Sequence, residues 1–282
     1  MAPNPAISST KKSTITQPKA KTSTKKPTGA LLTKVSSTAK SVYGRMQNTP
    51  LIAAVIAEFI GTFLLVSTIL VVQGQPLYVA FALVGIVLMI GGASGAYVNP
   101  AMTIGAWVTR KIKSTRAICY ILAETFGAVV AWLTLNAFLN SANSTAAVTG
   151  QSLFHAATVP SGKEWIVFFA ELLGATILAL GIAAAVRVKK SNTKTALVYG
   201  FAILMALIIA GSGATNMLLT ESNTTLSFLN PAAAIAANGL SWKIWPIAIY
   251  IIAPIIGGIL GFALQDALKN KNNDCECENC NC

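Results

Sequence analysis

Apolar residues gather along this chain in six long stretches, about 51–72, 77–92, 117–139, 165–186, 196–211 and 245–264, separated by polar or charged connections. Each is close to the ~20 residues that a helix needs to cross a bilayer. The pattern predicts an all-α membrane protein with six spanning helices. The second and fifth stretches are short, as expected where a chain dives back into the membrane after a span. Trp165, Trp242, Trp245 and Tyr250 fall near span ends, where interfacial aromatics gather.

One tripeptide recurs within these apolar surroundings, as Asn99-Pro100-Ala101 and Asn230-Pro231-Ala232. Asn caps the orphan N–H groups of a helix start, and Pro suits the first helical position because its missing donor would have gone unused. A helix that starts inside a membrane leaves irregular backbone there, which is tolerated only when protein buries it or it lines a wet cavity. Capping alone would account for one such triplet; the matched pair predicts a pore or binding site.

The two triplets belong to two copies of one unit. Ala57-Glu58-Phe59-Ile60-Gly61-Thr62 in the first stretch corresponds to Ala170-Glu171-Leu172-Leu173-Gly174-Ala175-Thr176 in the fourth, and each is followed by another span and then a triplet. Three spans separate equivalent points, so the second copy enters from the opposite face and the repeat is inverted. This divides the chain into a tail, 1–48, a first repeat, 49–160, a second, 161–266, and a second tail, 267–282. A half-helix from Asn99 to Thr109 would be about 16 Å long, so two of them meet tip to tip near the midplane. The second copy has about 18 extra residues between its Glu and its Asn, placed by the polar composition of 213–228 in an enlarged external loop.

Charge then sets the orientation. The chain is 54% hydrophobic and only 11% charged, yet its net charge is +12. Nineteen of the 21 Lys and Arg residues fall in the first tail, in 110–116, in 187–194 and at Lys269 and Lys271, leaving Lys163 and Lys243 on the other side. That asymmetry predicts cytoplasmic termini and a partner that is the lipid bilayer, not nucleic acid. Residues 1–48, rich in Lys, Ser, Thr and Pro, are expected to be a disordered basic tail.

On these residues, together with Ser94-Gly95-Ala96 before the first triplet and Pro254-Ile255-Ile256-Gly257 in the last stretch, the chain resembles the aquaporin (major intrinsic protein) family over about 50–266. The resemblance implies six spans, two re-entrant half-helices, a pore in each protomer and a homotetramer. It implies that Glu58 and Glu171 accept hydrogen bonds from the re-entrant loops; a proton relay is the alternative for carboxyls within spans. Glu124 stands where the family often has Gln. Physically, each half-helix would bring its positive end and an Asn amide to the midplane. Both would be offered to the oxygen of a passing water or small uncharged solute, and cations and protons would be disfavoured.

The departures bear on selectivity. Ala233 follows the second triplet where the family usually carries Arg, so the opening is expected to be wider and more apolar. The other filter positions map to Leu207, Ser227 and, in the second span, Phe81, preferred over Val79. Tyr97 replaces the family's usual His and reads as structural. The expected function is a passive channel for water and other small uncharged solutes, with a glycerol facilitator of weak water selectivity as the alternative. A secondary transporter or a structural membrane protein ranks lower.

No nucleotide loop or catalytic dyad appears, so neither an enzyme nor a cofactor is expected. Cys275, Cys277, Cys280 and Cys282 lie within the last eight residues, a thiol density able to wrap a soft ion such as Zn or Cu(I). An unstructured or lipidated tail is the competing reading, and no metal site is expected within the spans. His155, without companion ligands, reads as a solvated loop residue.

Overall fold

A proline opens or immediately precedes the helices that start at Leu51, Pro76, Pro100 and Pro231, a place where its missing N–H leaves no hydrogen bond unmade. The computed structural model describes residues 49–141, 155–187, 192–218 and 224–268. The predicted tail 1–48, Glu221, Asn223 and all four clustered cysteines lie outside the described residues.

In chain order the elements are α1 (Leu51–Val71), α2 (Pro76–Ile90), α3 (Pro100–Val108), α4 (Ser114–Ser141), β1 (His155–Ala156), α5 (Glu164–Arg187) and α6 (Asn192–Ala206). α6 passes through a π-helical segment, Leu207–Ser212, into α7 (Gly213–Leu218). There follow β2 (Thr224–Thr225), α8 (Pro231–Ala236) and α9 (Ile244–Ile247), which continues through a second π segment, Ala248–Ile252, into α10 (Ala253–Ala267). Among the described residues, five helical runs are long and apolar enough to cross a membrane, and α2, at 15 residues, is the shorter sixth. Large apolar side chains such as Ile52, Phe126 and Phe201 point outward and are exposed, as befits helices bathed in hydrocarbon.

Close helix contacts depend on glycine. A Cβ on Gly127 of α4 would lie 2.6 Å from the Phe59 carbonyl of α1, and one on Gly257 of α10 would lie 2.5 Å from the Leu172 carbonyl of α5. Phe59 and Leu172 each follow the Glu of their own repeat, so the same helix pair is built twice. Van der Waals packing is the main force between helices in lipid, and small residues let the backbones approach. The half-helices cross over: α3 packs on α10 as well as α4, and α8 packs on α4. Each repeat thereby holds the other's half-helix.

Several sequence expectations need correction. The fifth span is not short: Asn192–Ser212 runs for 21 residues, because the polar segment Asn192–Thr195 is helical although hydropathy does not mark it. The extra residues of the second copy do not form a plain loop. Gly213–Leu218 extends the span as helix, and β2 pairs in parallel with β1, setting His155 opposite Thr224. Tyr250 is not interfacial; it is only 2% exposed, while Trp242 is fully exposed. The half-helices are also shorter than expected, with nine and six residues, or about 14 and 9 Å.

The π segment in the last span has a local cause. Pro254 has no N–H to give to the carbonyl four residues earlier, and its ring crowds that carbonyl. The widened turn just before it, Ala248–Ile252, accommodates both.

Candidate functional site

The two loops that lead into the triplets adopt matching backbone conformations. Val98 and Leu229, directly before the asparagines, have φ of +45° and +56°, a left-handed region that costs a non-glycine residue about 1–3 kcal/mol. The N–H groups of these residues are held by buried carboxyls. Glu58 accepts from the Tyr97 N–H at 3.1 Å and from the Val98 N–H at 2.7 Å. Glu171 accepts from the Ser227 hydroxyl at 2.8 Å, the Leu229 N–H at 3.0 Å and the Phe228 N–H. Two tyrosines complete the brace. Tyr120 of α4 donates to the Ser94 carbonyl at 3.1 Å, and Tyr250, at the corresponding place in the last span, donates to the Leu226 carbonyl at 3.3 Å.

The left-handed turns aim the carbonyls of Val98 and Leu229 across the midline. There Asn230 Nδ2 donates to the Val98 oxygen at 3.0 Å and Asn99 Nδ2 to the Leu229 oxygen at 2.8 Å. Meanwhile Asn99 Oδ1 caps its own helix by accepting from the Ala101 N–H, and Asn230 Oδ1 accepts from the Ala232 N–H, both at 3.0 Å. A side-chain amide has two N–H bonds, so the cross-brace engages one on each Asn and leaves a second. The half-helices therefore face each other start to start, locked by reciprocal bonds.

Both asparagines line a cavity of about 320 Å³. Gln73, Gln75, Ser212 and Thr225 line it beside the α1–α2 connection and the end of the π segment, and the aliphatic residues Leu65, Val79, Ile182 and Ile203 form much of its wall. No described residue that lines it is charged.

The filter positions divide. Leu207 and Ser227 line the cavity, but the Ser227 hydroxyl donates to Glu171. Phe81 does not line it: its side chain is 67% exposed on the outer surface. Val79, 1% exposed, is the second-span residue at the cavity wall. Ala233 is buried in the first turn of α8 and is not among the residues that line the cavity. Glu124 accepts from the Thr103 hydroxyl at 2.6 Å. Tyr97 is buried beside Tyr120 and Phe262 and also borders the cavity. One residue that sequence reasoning missed is Tyr199, a cavity-lining aromatic of α6; its polar hydroxyl within an apolar run was the available signal.

Residues 45–264 match the family described as "Major intrinsic protein". The chain belongs to that family. Its members are channels, not enzymes. This major intrinsic protein is 31% identical over 247 residues to the aquaporin AqpM of Methanothermobacter thermautotrophicus, an alignment that spans 73% of this chain and 92% of that one. It is 30% identical over 220 residues to the glycerol uptake facilitator protein-like 6 of Lactiplantibacillus plantarum, across 73% and 93% of the two chains. In structure it is similar to the aquaglyceroporin of Plasmodium falciparum, with a TM-score of 0.61 at 21% identity, covering 78% of this chain and 97% of that one. The fold is thus the all-α aquaporin-like one, with six spans, two half-helices and an inverted repeat, in a multi-pass membrane protein.

Proposed function

We propose that this major intrinsic protein conducts water and other small uncharged solutes through the cavity between Asn99 and Asn230. The observation that carries the reading is the pair of cross-braced amides, each with a second N–H, bordering a cavity whose described lining holds no charge. A solute oxygen at that point accepts from both amides, which fills its acceptor positions, so it can only donate to its neighbours in the file and the chain of hydrogen bonds that would relay a proton is broken there. The starts of α3 and α8 add positive dipole ends, and a cation or hydronium meets like polarity there and finds no carboxylate to replace its hydration shell. Pro100, Ala101, Pro231 and Ala232 set the helix starts, and Glu58 and Glu171 hold the loops.

Glycerol facilitation is a second reading with its own support. Where the family usually has Arg this chain has Ala233, and Val79 and Leu207 give the cavity aliphatic walls, which suit the carbon face of a polyol. The basic clusters at 110–116 and 187–194 favour cytoplasmic termini. A homotetramer of these protomers in the lipid bilayer is the expected assembly, with 49–160 and 161–266 as its two repeats.

Stopped-flow light scattering on proteoliposomes tests the reading. Osmotic shrinkage faster than in empty vesicles, followed by re-swelling when the osmolyte is glycerol, is the expected outcome. Rates equal to those of empty vesicles for both solutes would refute conduction.

A further inference from the structure

Tyr199 is fully buried, borders the cavity, and donates its hydroxyl to the Gly95 carbonyl at 2.8 Å. Its direction is fixed by its neighbour. A Cβ on Gly200 would lie 3.1 Å from the Ala80 carbonyl of α2, so α6 sits hard against α2 and the ring of Tyr199 is turned to the cavity. Eight residues separate Tyr199 from Leu207, which puts the ring about 12 Å along the helix axis from the filter position. On the facing side is the 94–98 loop, whose Tyr97 ring is packed against Tyr120 and Phe262 at 6.3 and 6.4 Å between centroids. Neither wall has an easy way to yield.

Gly95, at φ +101°, presents its carbonyl to α6, where it accepts the tyrosine hydroxyl. We propose that Tyr199 is a second selectivity-determining residue of this channel, acting apart from the filter positions around Leu207. Its ring narrows the half of the cavity on the side of the 94–98 loop, and its hydroxyl, bound to the Gly95 carbonyl, anchors the ring there. The ring limits the width of the solute; the hydroxyl keeps the ring in place.

The inference rests on the conduction reading, and two substitutions separate its parts. Tyr199→Phe keeps the ring and releases the carbonyl; Tyr199→Ile removes the ring. Both are compared with wild type in proteoliposomes at equal reconstituted protein, after gel filtration and circular dichroism establish the same assembly and helix content. Tyr199→Ile is expected to raise glycerol permeability relative to water by about tenfold or more, the discrimination that a methylene-sized change in an apolar pocket supplies. Tyr199→Phe, which loses the anchor but keeps the ring, is expected to raise the glycerol-to-water ratio less than Tyr199→Ile does. Unchanged glycerol-to-water ratios in Tyr199→Ile would overturn the role of the ring, and if Tyr199→Ile does not assemble, an unchanged glycerol-to-water ratio in Tyr199→Phe overturns the hydroxyl-anchored ring as a determinant of solute width. Wild type alone against empty vesicles reports on conduction itself. Should wild type be silent, flux that appears in Tyr199→Ile supports the narrowing, and silence in both variants refutes it.

Discussion

Asn99 donates its side-chain amide to the backbone carbonyl of Leu229, 130 residues away in sequence, at 2.8 Å. The reverse bond, from Asn230 to Val98, closes a two-way clasp between helix starts that belong to different repeats. Each asparagine therefore caps a helix, joins the two halves and still presents an N–H to the cavity.

Asn230→Asp exchanges the donor that meets the Val98 carbonyl for a carboxylate oxygen, so attraction becomes repulsion between acceptors. It also sets a negative charge beside the positive helix ends. Water permeability is expected to fall by about tenfold or more, the effect of losing a charge-assisted or buried hydrogen bond at a critical position. Stopped-flow shrinkage of matched proteoliposomes checks it, and an unaltered rate would speak against the clasp as part of the passage.

Loop bracing predicts a stability effect distinct from conduction. Glu58→Ala strips the N–H groups of Tyr97 and Val98 of their partner, at about 1–3 kcal/mol for each buried group left unsatisfied. The left-handed Val98 then loses the bond to its N–H and keeps the one that its carbonyl accepts from Asn230. A clear drop in Tm of the detergent-solubilised protein is expected, and the same for Glu171→Ala. Glu58→Gln, which keeps one acceptor oxygen, should fall in between. A proton relay without a bracing role would instead leave Tm unchanged in all three variants.

Glycine contacts offer a cleaner packing test. Gly127→Ala forces a methyl into the space of the Phe59 carbonyl, and over-packing of this sort costs about 1–3 kcal/mol. Gly85→Ala is the control, because a Cβ there meets nothing within 4 Å; helix propensity favours it by roughly 1 kcal/mol. Thermal unfolding should therefore fall for the first and hold or rise for the second. Equal shifts would count against the close α1–α4 approach.

The second-span filter position shows what the sequence could and could not convey. Val79 and Phe81 are two residues apart, and at about 100° per residue that puts them on nearly opposite faces of α2. The helix is apolar all round, because one face meets the protein core and the other meets lipid, so hydropathy carries no sign of which is which. Phe81, the position preferred from the sequence, lies on the lipid face. Tyr250 was misplaced for a related reason: position near a span end suggested an interfacial ring, whereas its equivalence to Tyr120 became visible only when both hydroxyls were found on the re-entrant loops. By contrast Glu58, Glu171, Asn99 and Asn230 stood out because polar residues within apolar spans are rare and these four recur in the same order in both halves. The π segments had no comparable signal, except for the proline that follows the second of them.

Substitution at those two positions turns the correction into a measurement. Val79→Phe fills the cavity wall and should slow glycerol more than water, whereas Phe81→Ala removes an outward-facing ring and should leave both rates as they are. The opposite pattern would restore Phe81 to the passage.

The central claim is that uncharged molecules pass between Asn99 and Asn230 while charge does not. The most direct measurement records both in one preparation: osmotic shrinkage by light scattering and proton entry by a trapped pH-sensitive dye, in vesicles with and without the protein. The account expects water flux well above that of empty vesicles together with proton flux no different from theirs. Proton flux that rises in step with water flux, or water flux that never exceeds the lipid background, would contradict it.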